Sequence, residues 1–238
     1  MNKTLNILAV ASLLAAGAAN ATIVTVFDGI PAGSAAFDTT VIGAGGIVNT
    51  DVWTTLGNGM RTDYTVTRND GGSVSATGYG DMSGDVIGIS PDGTFPGQNG
   101  TVDGGITFTF KTPVNAIGFE VGDWATCCFN PTTDLFISFD GGAPILVASA
   151  DDVTDGQFAN AAGNRVHEIF VAAFDDTGDF TSVTFWGNGS GEFLVAGGQV
   201  KYALLDQGSL PPNGVPEPAT LALLGLGLLG LGFMRRKA

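Results

Sequence analysis

An all-β fold, an antiparallel two-sheet sandwich of jelly-roll type, is what this sequence predicts for its body. Three observations predict it. Apolar and polar residues alternate with a period of two in many short stretches. Clusters of Gly, Asp, Asn and Thr separate those stretches as turn signals, with Gly at 37 of 238 residues. No segment between the two ends keeps an apolar period of 3.6 over ten or more positions, so no helix is expected there.

The elements follow in order. Residues 23–27, 63–67, 73–76 and 86–89 are short β-rich runs. In ITFTFKT, Ile106, Phe108 and Phe110 share one face while Thr107, Thr109 and Lys111 share the other. After Pro113, residues 115–123 set Ile117, Phe119 and Val121 on one side. Leu135, Ile137 and Phe139 repeat the pattern and end at the turn Asp140-Gly141-Gly142. Residues 145–148, 166–174, 182–186 and 199–205 complete the set, the last with Val200, Tyr202 and Leu204 inward. One buried and one wet face per strand is the pattern of antiparallel sheets. No repeat of fixed period points to a propeller or solenoid.

Charge narrows the partners. Residues 22–214 hold five Lys and Arg against 22 Asp and Glu, a formal charge of −17. Such a surface repels phosphate backbones, so nucleic acid is excluded as a partner, while cations are attracted.

The two ends read as addresses. Residues 1–21 form a secretory signal peptide: Lys3 at the start, an apolar stretch from 5 to 18, and Ala19-Asn20-Ala21 as an A-x-A cleavage site. Residues 22–205 are the acidic sandwich domain and 206–218 a Pro-rich linker, extended because proline fixes φ and lacks a donor. Residues 219–238 hold 16 uncharged residues and then Arg235, Arg236 and Lys237. As a helix the run spans about 24 Å against a hydrocarbon core of about 30 Å, so it crosses with some thinning and its cations stay cytoplasmic. Gly225, Gly227 and Gly230 match G-x-G-x-x-G, but no strand precedes them and no acid follows.

Pro216-Glu217-Pro218, the hydrophobic run and the basic cluster together resemble the PEP-CTERM sorting signal. The resemblance implies a protein exported through the inner membrane, held there transiently, and processed by an exosortase near the Pro-Glu-Pro motif. It then reaches the cell surface or extracellular space. It further implies association with exopolysaccharide or biofilm matrix, and a sorting role for Pro216, Glu217, Pro218, Arg235, Arg236 and Lys237. The body is also similar to the jelly-roll domains that accompany such tails, which have the shape of carbohydrate-binding modules.

Candidate sites within the body are few. Trp124 and Trp186, each just beyond an expected strand, are candidates for stacking on sugar rings, with Trp53 and Tyr79 in less defined loops. Asp151, Asp152 and Asp155, or Asp175, Asp176 and Asp179, could supply carboxylates to an irregular Ca²⁺ site; Val153 and Ala162 exclude an EF-hand. Cys127 and Cys128 are adjacent, and in an oxidising compartment they are candidates for redox or intermolecular use beside a plain structural role. His167, the sole histidine, alternates as a strand-surface residue. No G-x-S-x-G elbow accompanies it. The expected function is non-catalytic interaction as a surface or matrix protein. A lectin-like carbohydrate-binding module is the first alternative and a polysaccharide-active enzyme the second.

Overall fold

The computed structural model describes residues 22–27, 29–72, 74, 77–89, 104–125, 133–152, 158–159, 165–187 and 194–210. The chain runs β1 (Ile23–Phe27), α1 (Ile30–Gly43), β2 (Asn49–Val52), β3 (Tyr64–Arg68), β4 (Thr77–Gly78) and β5 (Asp85–Gly88). Strands β6 (Ile106–Val114), β7 (Ala116–Gly122), β8 (Thr133–Phe139) and β9 (Ile145–Ala150) follow. A short pair, β10 (Phe158–Ala159) and β11 (Arg165–Val166), precedes β12 (Ile169–Phe174), β13 (Phe180–Gly187) and β14 (Val195–Ala203).

Two antiparallel sheets face each other. One is seven-stranded, in the order β1-β12-β7-β14-β5-β4 with β2 also on β14; the other is five-stranded, β3-β6-β13-β8-β9. Successive strands from β5 to β8, and again from β12 to β14, change sheet at each step. The result sets β5-β14-β7-β12 against β6-β13-β8-β9, a jelly roll, as the alternation predicts.

The core between the sheets is built from the inward positions of those strands. Phe108, Phe119 and Phe185 are fully buried, and Phe119 meets Phe185 edge-on with ring centroids 4.9 Å apart. Trp53 and Tyr64 join them, each within about 6 Å of Phe108. A bulge interrupts the pairing of β14 with β7 between Gly197 and Val200. Gly197 and Gly198 take positive φ, and a Cβ at Gly197 would lie 2.2 Å from the Trp53 ring. Beyond the bulge β14 changes neighbour, from β5 at Val195–Gly197 to β2 at Gln199–Tyr202.

Several local expectations need correction. Residues 30–43 form a helix where none is expected. Pro31 lies in its first turn, and Ile30, Gly33, Phe37 and Val41 face the sheet. Its solvent side carries Ala32, Ala35, Thr39 and Ile42 in place of charge, which erases the contrast on which a helical period depends. Strand β2, Asn49–Val52, is polar and therefore silent to a hydrophobic pattern; it forms by pairing with β14. Leu204, expected inward with Val200 and Tyr202, is 53% exposed, because β14 ends at Ala203. Of the strand expected at 73–76, residues 73, 75 and 76 lie outside the described residues, and a two-residue strand, Thr77–Gly78, follows.

Candidate functional site

The outward face of the seven-stranded sheet holds the densest buried polar chemistry. Every residue of β7 is buried, because α1 covers one end of that face and the segment 79–83 covers the other. Gly118 accepts the rings of Phe37 and Phe170, both within 3 Å of where a Cβ would stand. At Gly122 the covering atoms are Met82 Sδ and the Tyr79 ring. Between these covers lies Glu120, fully buried. Ser83 donates to it twice, from N at 2.7 Å and from Oγ at 2.5 Å. Burial pushes the Glu120 carboxyl up, against the opposing pull of the Ser83 bonds.

Two further polar groups share this layer. Lys201 is 5% exposed and donates to both Asp38 oxygens, at 2.6 and 2.7 Å, which ties α1 to β14. Glu168 is 6% exposed; it accepts from the Asp81 backbone, while its Oε2 has no partner. Burial raises its carboxyl, and the Asp81 charge adds to the rise.

A second network runs through the core edge. Trp53 Nε1 donates to Tyr64 Oη at 2.7 Å, and Tyr64 donates to Asp51 Oδ2 at 2.8 Å. Arg61 completes it with a two-pronged contact to Asp51 at 2.6 and 2.7 Å. Burial acts to raise the Asp51 carboxyl, but the Arg61 and Tyr64 bonds outweigh it and hold the group below its ordinary value. Trp53 and Tyr64 are wholly buried, so this chain of donors is a structural brace.

The residues singled out from the sequence scatter. Trp124 is 2% exposed and lies in the core, and Trp186 is 6% exposed, so neither offers an open indole face. Trp186 stacks on its cross-strand partner Phe136 on the outer side of the five-stranded sheet, opposite inward Phe185 and Leu135. Trp53, like Trp124, is core. The acids 175, 176 and 179 do not converge. Asp175 accepts from Thr22 and Thr177, and buried Asp176 accepts from the Leu210 amide at 2.7 Å, while Asp179 is exposed. Asp151 and Asp152 are exposed, and Asp155 lies outside the described residues, as do Cys127 and Cys128. Among the described residues no group of three His, Cys, Asp or Glu is placed to hold a metal ion. His167 lies just before β12, half-buried, with Nδ1 3.2 Å from the Trp124 carbonyl.

A feature the sequence reading missed is a cleft of 490 Å³ lined by Asn58, Thr67, Arg68, Val74, Gly71 and Gly72. Arg68 is fixed there: it donates to Asp70 and, through Nη1, to the Gly88 carbonyl at 2.7 Å. Asp70 in turn accepts the Gly72 amide at 2.8 Å. In the sequence, Arg68-Asn69-Asp70-Gly71-Gly72 reads only as a turn. Its proximity to Asn58 is a product of the fold.

Among the described residues no helix is long and apolar enough to cross a membrane. The expected signal peptide, Pro216, Glu217, Pro218, the apolar run and Arg235, Arg236 and Lys237 all lie outside the described residues. Comparisons with curated proteins and with solved structures returned no match. The scan against family models did: residues 214–237 match the model of the PEP-CTERM protein-sorting motif. This chain therefore carries a PEP-CTERM sorting motif behind a jelly-roll body, and the motif implies exosortase-dependent sorting to the cell surface or extracellular space.

Proposed function

We propose that the chain is a surface or extracellular-matrix protein that acts by non-catalytic interaction, with anionic exopolysaccharide as its partner. The sorting motif at 214–237 supports this reading, because it implies sorting to the cell surface or extracellular space, where a matrix partner would be met. The body's chemistry supports it. The buried described acids face donors that hold the fold, as Glu120 faces Ser83 and Asp176 faces Leu210. Exposed acids such as Asp179 and Asp206 leave a surface that Ca²⁺ can bridge to carboxylated sugars without an enclosed site. Before processing, the run at 219–234 anchors the chain in the inner membrane.

Deleting the host exosortase tests the sorting half: a full-length, membrane-retained protein is expected, and an unchanged mature C-terminus refutes it. Co-sedimentation of the mature protein with host exopolysaccharide tests the other half. Binding that rises with millimolar Ca²⁺ is expected, and none at any Ca²⁺ level ends the proposal.

One observation favours a lectin-like alternative, the Arg68 cleft. A guanidinium held on two sides, an amide and bare glycine backbone suit hydroxyl or carboxylate groups of a sugar residue. Saturable binding of a defined oligosaccharide, lost in Asn58→Ala and Arg68→Ala, is its signature.

A further inference from the structure

Large apolar side chains are exposed at one end of the body. Ile42 is 67% exposed, Ile47 79% and Leu204 53%. They belong to one rim. Gly46, adjoining Ile47, abuts the Leu204 carbonyl, and its amide donates to the Val41 carbonyl one residue before Ile42. Continuing the β2–β14 register past Asn49↔Tyr202 sets Ile47 opposite Leu204.

The same rim holds the end of the described chain. Leu210, the last described residue, is buried in a cluster with Phe37, Val41, Ala44 and Leu205. Beyond it, residues 211–218 separate the body from the apolar run that starts at Ala219. Eight residues reach at most about 29 Å when fully extended. Whenever the run is inserted, the exit point and its rim are held near the bilayer surface.

Charge agrees with that placement. From Ala32 to Gly43 the helix bears one charged residue, Asp38, and Lys201 pairs with it. Asp206, exposed beside Gly45, is the acid at the rim's border. A second copy of the chain would bring another body of −17 against the first, whereas a zwitterionic headgroup layer brings no such repulsion.

We infer that the rim of Ile42, Ile47 and Leu204 is a lipid-contact surface that seats the body on the bilayer while the tail is inserted. This rests on the proposed membrane anchoring of residues 219–234. The contact orients the body with its Leu210 end toward the membrane. Three aliphatic side chains add a weak, reversible attachment, lost once the tail is cut.

The test uses the full-length chain in phosphatidylcholine vesicles. It combines hydroxyl-radical footprinting with an acyl-chain photoprobe, both read by mass spectrometry. Met60 and Leu146, 66% and 55% exposed and outside the rim, serve as internal references. Several-fold protection of Ile42, Ile47 and Leu204 relative to those references is expected, together with their labelling from the lipid phase. In I42S/I47S/L204S, flotation with vesicles should persist while lipid-phase labelling of the body disappears. Flotation with the rim no more protected by lipid than Leu146, each compared with its own reactivity without vesicles, overturns the inference and leaves the anchoring intact. Protection that scales with protein density and not with lipid assigns the rim to a second copy, which also overturns it. Failure to float at all removes the anchoring and the rim's role together.

Discussion

The two sheets of this sandwich solve different problems. In the five-stranded sheet, β6 alternates buried and exposed, with Phe108 and Phe110 inward and Thr109 and Lys111 in water. In the seven-stranded sheet, β7 and β12 are buried on both faces. The first sheet serves chiefly the one core, with Trp186 on Phe136 as an apolar contact on the other side; the second serves two. Its outer side is packed by Phe37, Phe170 and Phe174 under α1, with Glu120 and Lys201 enclosed among them. A second cover makes room for buried charge, but each charge then needs a partner from the cover. Ser83 and Asp38 are those partners.

The largest expected effect breaks the doubly covered sheet at its bulge. Gly197→Val places a β-branched residue at φ 134° with its Cβ 2.2 Å from Trp53. A loss above about 4 kcal/mol is expected, seen as absent or molten protein by circular dichroism. On the other sheet, Thr109→Val, exposed on β6, should stay within about 0.5 kcal/mol in urea titration. Equal losses would erase the contrast.

Phe37→Ala comes next. Its ring stacks on Phe174 at 5.2 Å and meets Phe170 at 6.3 Å, so about 3–5 kcal/mol should be lost. A loss under about 1 kcal/mol would mean that α1 only decorates the sheet. Asp38→Ala strands the Lys201 ammonium under the helix and should cost about 2 kcal/mol. That is below the figure for a fully buried pair, because the Asp38 side chain is 38% exposed. Lys201→Met removes the charge itself and should cost less.

The smallest effects are in pH dependence, and they differ in sign between regions. Glu120 and Glu168 have carboxyls raised above 4.5 by burial, so the folded state binds protons the unfolded state releases. Stability should therefore fall as pH rises from 4.5 through their folded values, then level off. Glu120→Gln with Glu168→Gln should flatten that window. At the cleft, the Arg68 side chain lowers the Asp70 carboxyl from 3.8 to about 2, so its contribution holds above 3.8 and is lost as pH falls toward 2. Asp70→Asn should flatten only that acid limb. Thermal melts across pH 2–8 on the three proteins separate the two, and a common pH response would refute the assignment.

Much of the fold is legible in the chain as read. Residues 106–111 and 134–142 announce strands because alternation against water is a local signal, and the tail announces its destination through residues that adjoin each other. Trp124 lies in the core and Trp186 is covered on the outer side of the five-stranded sheet, and a residue at a strand end carries no mark of what covers it. The Arg68 cleft was invisible because Asn58 reaches it through space.

By itself the sequence determined the alternating strands such as β6 and β8, their inward faces and the sorting address at 214–237, since each depends on near neighbours along the chain. Only the tertiary structure decided that β7 is buried twice, that residues 30–43 coil into a cover, and that Glu120 has a partner in Ser83. Burial on a second face depends on which distant segment arrives to exclude water, and period-two alternation records the first face only.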